Sequence, residues 1–563
     1  MNKRLLGLAV AGCLSLGAAQ AANVVLVNQD PAGVGLNDTT PATPVGKNPG
    51  KTRGEQASIV YQYAMDMWGG VLESNQTIYV GASFAPLACT STGGTLASAG
   101  ATIVVTGDAG HGNRAYGSAL ADALFDMDLI DYFYGLQEYP DISSRFNGAM
   151  GSPGCLDGMS WYFGLDGKTP AGQVNFLNVV MHEIGHGLGV QGFINRTVSS
   201  PSFGANSYAA IDAYTANAYD NVANKAFSAM TPMERRAALL APGRTVWTGA
   251  NVNRNAKLIL DNRLALTGSA PAALAGKQYE VGFAAFGPLA TAGAFSGKAF
   301  AIIDDGDAAV GTSTDGCSAK GSGTSAGDTI VYANKAAVAG KVAVIDRGTC
   351  SFEYKTRIAQ DNGAVGVVIV NNAAGVIDMA RGAVPTTGIS IPTVMISQAD
   401  GAELKASIAT ARAAVKVSTL LAGADASGRT RLYTPATYAP GSSYSHFDTS
   451  ASPNALMEPF DDPSVQAHVN VDMTPGLFKD IGWTLNPGNG IINKCDTGTP
   501  AVADGGFVIG ANLQAQHNVC NLQHPTNKLL YTKCMTDHGL ALRNQSLLDG
   551  TQHMKLVQCA SRR

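Results

Sequence analysis

The segment His182-Glu183-Ile184-Gly185-His186 carries the most legible chemistry in this 563-residue chain. Residues four apart on a helix share one face, so His182 and His186 can aim two imidazoles at one metal ion. Glu183 follows the first of them and lies close enough to polarise a water on that ion. Zinc with three protein ligands keeps a fourth position for such a water and lowers its pKa toward neutrality. Glu183 then takes the proton during attack on a peptide carbonyl and passes it to the leaving amine. The bare five-residue pattern also arises by chance on surface helices that hold two histidines. Three features argue against that here. Val174, Phe176, Leu177, Val179, Val180 and Met181 make the preceding run apolar, so the helix should be buried, and buried His and Glu need partners. Gly187 and Gly189 follow and free the chain to turn sharply. The third feature is the export signature described below.

The motif needs a helix beneath it. Pro170 precedes a long helical run from Gln173 to Gly189. Upstream, Ile59, Tyr63, Met67 and Val71 recur at helical spacing and predict an amphipathic helix from Gly54 to Leu72. Thr77 to Phe84, Ala101 to Thr106 and Met159 to Gly164 read as strands. Met233 to Leu240 and Ala256 to Ala265 read as helical. This mixture predicts an α+β domain that begins with residues 22–285. Residues 286–420 have another texture, in which β-branched runs such as Lys341 to Ile345 and Val365 to Val370 alternate with alanine-rich stretches. That predicts a separate, inserted α/β unit. Residues 421–486 return to the polar, aromatic texture of the first domain. Pro487-Gly488-Asn489-Gly490 reads as a linker into a small disulfide-rich C-terminal module, residues 487–563.

His182-Glu183-x-x-His186-x-x-Gly189 resembles the start of the metzincin signature, His-Glu-x-x-His-x-x-Gly-x-x-His with a later methionine turn. The signature's third histidine would fall at Gly192, which has no side chain to bind metal. The compact ligand set of matrixins, astacins and serralysins is therefore absent. Asn454-Ala455-Leu456-Met457-Glu458-Pro459 looks like the methionine turn, with Ser445-His446-Phe447-Asp448 shortly before it. That order is similar to leishmanolysin-like metzincins, which place a delayed third ligand there after an insertion. The resemblance implies a metzincin-like zinc protease domain with Zn2+ on His182, His186 and His446, Glu183 as general base and Met457 as the structural methionine beneath the metal. The insertion between His186 and His446 spans about 260 residues. His468, His111 and Asp212 are rivals for the third position. Asp448 is a candidate to orient an imidazole from behind. Tyr444 is a candidate oxyanion donor, although a packing role suits it better. Met159 to Gly164 is a candidate for the metzincin edge strand, to which substrate adds as a further strand.

Gly340-Lys341-Val342-Ala343-Val344-Ile345-Asp346-Arg347-Gly348-Thr349-Cys350-Ser351-Phe352 resembles the core of a protease-associated (PA) domain. Lys355, Asn362-Gly363-Ala364, Ile369 to Asn372 and Ile391 to Ser397 extend the match. Such domains carry no catalytic groups, and the resemblance implies a lid or a surface that contacts substrate or another protein. Asp304-Asp305-Gly306-Asp307 is a candidate for Ca2+, but a solvated turn suits it better because the spacing of a calcium loop is absent. In the tail, Cys520-x-x-x-His524 and Cys534-x-x-x-His538 have the look of a second zinc site. After export, two disulfides are the better reading.

Lys3 and Arg4, the apolar run Leu5 to Leu16 and Ala19-Gln20-Ala21 form a secretory signal peptide over residues 1–21. Val10-Ala11-Gly12-Cys13 also resembles a lipoprotein cleavage box, a minor alternative. The eight cysteines after Cys13 predict disulfides, by proximity Cys89–Cys155, Cys317–Cys350 and two bridges within the last four. The first of them, Cys89, lies after the first helix, which excludes a cysteine switch before it. A net charge of −4 offers no basic stripe for nucleic acid, and no further apolar run is long enough to span a membrane. The expected activity is hydrolysis of protein or peptide substrates outside the cytoplasm. The alternative is a silent protease-like binding protein that uses the PA domain and tail. A zinc hydrolase acting on another amide or ester is a third reading.

Overall fold

The computed structural model describes residues 21–317, 330–373, 375–382 and 388–563. The expected signal segment up to residue 20, with Cys13, lies outside the described residues. After strand β1 (Val24–Asn28) comes helix α1 (Arg53–Val71). Thr52 and Glu55 close a capping box at its start, each side chain accepting the other's backbone N–H. Of the periodic set, Tyr63, Met67 and Val71 are buried and Ile59 is half-buried, but Tyr61, Met65 and Trp68 on other faces are buried too. The predicted amphipathic helix is therefore enclosed on most sides, because strands, the motif helix and a C-terminal helix all pack on it.

Strands β2 (Ile78–Ala85) and β3 (Ala97–Ala101) follow, then the hairpin β4 (Val104–Asp108) and β5 (Asn113–Gly117), helices α2 (Ser118–Phe125) and α3 (Leu129–Tyr134), and strand β6 (Ile142–Asn147). The main sheet has the order β1-β2-β6-β3, with β3 antiparallel on the edge and the rest parallel. The strand expected from Ala101 to Thr106 is thus split between two ladders. Thr102 donates its N–H to the Asp141 carbonyl at 2.8 Å, where the chain leaves β3. The strand expected from Met159 to Gly164 shrinks to β7 (Ser160–Tyr162), which pairs in parallel with β8 (Gln173–Asn175) outside the main sheet. Because β8 takes up residues 173–175, the motif helix α4 (Phe176–Gly187) starts later than expected.

Small strands β9 (Ala218–Asp220), β10 (Lys225–Ala226) and β11 (Thr245–Trp247) surround helix α5 (Pro232–Leu239), and α6 (Ala250–Ile259) follows. The helix expected from Ala256 to Ala265 ends with α6. Its second half belongs to β12 (Asn262–Ala270), where pairing to a distant strand overrides local helix propensity. From β12 the chain passes through β13 (Gln278–Glu280), β14 (Gly282–Phe283), β15 (Phe300–Ile302), α7 (Lys335–Val338), β16 (Val342–Asp346), α8 (Phe352–Asp361), β17 (Gly366–Val370), β18 (Thr393–Ile396) and α9 (Gln398–Ala406). It returns along β19 (Arg412–Leu421), antiparallel to β12. The five-stranded sheet between them, β14-β18-β17-β16-β15, buries both faces. Val342 and Val344 enter one core, and Ala343 and Ile345 the other, as a period of two requires.

One core joins residues on both sides of this insertion: Val60, Met181 and Ile184 pack in the same cluster as Tyr444, Met457, Phe478 and Trp483. At the neck, Glu280 of β13 takes charge-assisted hydrogen bonds from Arg263 of β12 and from Arg431, at 2.7 Å for the latter. Helix α10 (Thr474–Ile481) leads to the tail, made of β20 (Asn489–Ile492), β21 (Cys495–Pro500), α11 (Ile509–Gln523), α12 (Lys528–Asn544) and α13 (Gly550–Ala560). Helix α11 lies against α1 and adds Ala511, Ala515 and Val519 to the main core. The disulfides are Cys89–Cys155, Cys317–Cys350, Cys495–Cys559 and Cys520–Cys534. Among the described residues no helix is long and apolar enough to cross a membrane.

Candidate metal centre

Asn175 caps α4 by accepting the Asn178 N–H, so the helix starts directly out of β8. His182 and His186 then stand one turn apart. The third imidazole comes from a short pairing in which Leu432 bridges Phe447 and Tyr433 donates its N–H to the His446 carbonyl. The Nε2 atoms of His182 and His186 are 3.0 Å apart, those of His186 and His446 3.1 Å, and those of His446 and His182 3.2 Å.

The other nitrogen of each ring is committed. Nδ1 of His182 donates to the Leu456 carbonyl, that of His186 to Val190 and that of His446 to Ser442, each at 2.7 Å. A carbonyl only accepts, so each Nδ1 carries the proton and each neutral ring turns a bare Nε2 lone pair inward. Burial keeps the rings neutral. It lowers His182 to about 4, and burial plus the neighbouring His182 lowers His186 to about 3. His446 falls well below its ordinary value for the same reasons. Three facing lone pairs with no donor among them repel unless a cation lies between. Zinc–nitrogen bonds of 2.0–2.1 Å at near-tetrahedral angles place nitrogens about 3.3 Å apart, so this donor set fits zinc. Among the described residues, no other group of three or more His, Cys, Asp or Glu has this convergence.

Glu183 is buried beside the histidines. The Ala99 N–H of β3 serves its carboxylate, while Oε2 has no partner. Burial pushes Glu183 up to about 8 against the pull of that N–H. Beneath the centre, the Met457 sulfur lies 2.9 Å from where a Cβ on residue 185 would stand, so Gly185 is what admits the methionine under the helix turn. A Cβ at Gly192 would meet the Tyr444 ring at 2.3 Å. Position 192 is thus filled by the aromatic support of the His446 loop.

The rivals for the third ligand lie elsewhere. Both Asp212 oxygens accept backbone N–H groups, from Thr215 and Phe193. His111 sits at the tip of the β4–β5 hairpin, and His468 lies against Gly167. Asp448 does not orient an imidazole as expected: it accepts from Ser450, and the Ser442 carbonyl holds His446 instead. Tyr444 is buried, with its ring against Phe227 and Tyr214. Asp304, Asp305 and Asp307 accept N–H groups two residues on, from Gly306, Asp307 and Ala309. The edge of the main sheet against α4 is β3, not the segment Met159 to Gly164. Its sequence Ala-Ser-Ala-Gly-Ala has no apolar alternation to announce it. The three carbonyls that orient the imidazoles are backbone groups and leave no mark in the sequence; Gly185, between the two helix ligands, is the one readable signal that was missed.

Residues 292–404 match the PA domain family model. This segment is a PA domain. The chain is similar to Leucine aminopeptidase 2 of Arthroderma otae, 35% identical over 81 residues, which are 14% of this chain and 16% of that protein. It is also similar to the Minor extracellular protease Vpr of Bacillus subtilis, 43% identical over 65 residues, 12% of this chain and 7% of that one. The chain therefore spans only a small part of either relative. Among solved structures, an aminopeptidase from Aneurinibacillus sp. strain AM-1 aligns at 18% identity and a TM-score of 0.19, covering 31% of this chain and 38% of its own. A zinc aminopeptidase from Bacillus subtilis aligns at 20% and 0.16, covering 34% and 39%.

Proposed function

We propose that the chain is an exported zinc-dependent endopeptidase of the metzincin type, with His182, His186 and His446 as metal ligands and Glu183 as general base. The convergence of three bare Nε2 atoms within 3.2 Å, with a half-partnered carboxylate beside them, carries this reading. Zinc held there supplies a Lewis acid that polarises the scissile carbonyl and makes water acidic enough to react near neutral pH.

The chain's own groups do the rest. The Ala99 N–H pulls on Glu183 against burial, and a cation held by the imidazoles would keep the carboxyl ionised, so that Oε2 can take a proton from the attacking water and deliver it to the leaving amine. The carbonyls of Leu456, Val190 and Ser442 hold the rings in one tautomer and orientation. Met457 supplies shape beneath them. Because the Ala99 N–H points away from β6, alternate residues of β3 turn their backbone groups outward. The carbonyl of Ala99 and the peptide groups of Ala97 and Ala101 are then available to an extended substrate, and their small side chains let it approach closely. A strand-addition track binds the middle of a polypeptide, which favours internal cleavage. The disulfides suit an oxidising compartment, in keeping with a signal peptide over residues 1–21. The PA domain serves as a lid or contact surface, and the tail braces α1.

Casein cleavage by purified protein tests this, with and without a chelator and beside Glu183→Ala. Chelator-sensitive activity that vanishes in the variant is expected. Zinc binding without cleavage of any protein would instead favour a silent binding protein, and equal activity in parent and variant would remove the mechanism.

A further inference from the structure

Residues 132–139 are all exposed, and Tyr132, Phe133, Tyr134, Leu136 and Tyr139 among them are large and apolar. Tyr132 and Tyr134 leave 66% and 63% of their surface in solvent. The Phe133 ring sits edge-on to both, at 5.2 and 6.4 Å. The placement is specified locally. Asp128 caps α3 by accepting the Asp131 N–H, Leu129 and Ile130 anchor the helix inward, and Gly135, at φ +66°, stops it. The turn that remains projects three aromatics outward. A contiguous apolar patch of this kind marks an interaction site on a soluble protein.

Charge decides the partner. From Ala115 to Ser144 the chain carries Asp122, Asp126, Asp128, Asp131, Glu138 and Asp141 and no Lys, Arg or His. Asp126 and Glu138 are exposed at the edge of the patch and Asp128 and Asp131 are half-buried; Asp122 and Asp141 lie beneath it, where burial raises them to about 6 and about 8, so the negative field rests on the first four. Carboxylates and the negative faces of aromatic rings both attract ammonium and guanidinium groups. The same field repels nucleic acid and anionic lipid. Position links the patch to the cleft, since Tyr139 and Pro140 run into β6, whose Ile142 pairs with Ala101, the last residue of β3. The patch therefore stands at one end of the strand that takes the substrate under the function proposed above.

We infer that this aromatic, acidic face is an exosite for lysine- and arginine-rich stretches of protein substrates; the inference rests on that proposed function. A fluorescent oligolysine offered to the full chain carrying Glu183→Ala, so that the probe is not consumed, tests it directly. Binding is expected, and it should weaken about ten-fold on Tyr132→Ser/Phe133→Ser/Tyr134→Ser, again on Asp126→Asn/Glu138→Gln, and at high salt. With Glu183 intact, kcat/KM for a lysine-rich histone should exceed that for its succinylated form. The triple variant should lose the difference while hydrolysing a short neutral peptide as the parent does. Equal oligolysine binding by parent and triple variant would overturn the exosite. So would binding of the patch to phosphatidylcholine vesicles or insoluble polysaccharide with oligolysine ignored. If the parent cleaves no protein yet binds oligolysine through these residues, the peptidase reading fails and the cation-binding face stands. If it cleaves with no effect of the patch, the exosite alone fails.

Discussion

Two groups of buried histidines, one proposed to hold zinc and one structural, look alike until their lone pairs are followed. In the tail seam, Nε2 of His538 meets Asn512 Oδ1 at 2.7 Å, its Nδ1 meets Lys47 Nζ at 3.2 Å, and the Asn512 amide donates to the His468 carbonyl. Each contact there joins a donor to an acceptor. At the metal centre three acceptors face one another. Burial lowers His468 to about 4, much as it lowers His182, so neither burial nor a shifted pKa separates the two groups. The mismatch does. The same contrast holds for two carboxylates. Glu183 keeps an unpartnered oxygen, whereas Glu280 is bracketed by Arg263 and Arg431.

The largest effect should come from the mismatched carboxylate. Glu183→Ala should lower kcat for casein by about 10³-fold, within the range of general-base catalysis, with zinc content and thermal midpoint kept. A variant that kept its activity would erase the contrast with Glu280. At Glu280, burial would raise the pKa, but Arg431 and Arg263 outweigh it and bring it down to about 2. Its folded pKa is therefore below its unfolded value. The stability it provides, about 3 kcal/mol, is present above about pH 4.5 and is lost as the pH falls toward 2. Acid unfolding of Glu280→Gln should lack that component; an unchanged acid limb would show that the ion pairs are idle. His538→Ala should lower stability by about 2 kcal/mol, through the unpaired Asn512 and the vacated space, while zinc and cleavage stay at parent levels. Loss of zinc there would blur the two histidine groups into one. The smallest effect should come from behind the metal. Asp472 accepts the Leu456 N–H at 2.6 Å, and Leu456 presents the carbonyl that holds His182. Asp472→Asn should weaken zinc binding about ten-fold without removing it, as seen for groups that orient ligands. Parent affinity in that variant would leave the Leu456 carbonyl correctly held without Asp472.

Side-chain patterns were readable, and backbone chemistry was not. The four-residue spacing of His182 and His186 and the Ala-Leu-Met-x-Pro run after His446 pointed to three rings that do lie together. The Val342 to Asp346 run, with its flanking residues, was legible as a PA domain. Proximity along the chain also predicted the disulfides Cys89–Cys155 and Cys317–Cys350 and two bridges in the tail. Strand β3 leaves no mark in the sequence because its five small residues carry no alternation, and Met159 to Gly164 is the edge candidate that the sequence offers instead. Residues 256–265 read as helix because the β19 partner that makes β12 a strand lies about 150 residues downstream. Asp448 was a reasonable orienter by chemistry. The chain gave that task to carbonyls, which every residue has and no sequence distinguishes.

Zinc content after dialysis, measured on the parent, His446→Ala and His468→Ala in one series, shows whether the three rings hold one ion. One tightly held zinc per chain is expected in the parent and in His468→Ala, and none in His446→Ala. Stoichiometric zinc held by His446→Ala with the parent's affinity would contradict the three-ring site.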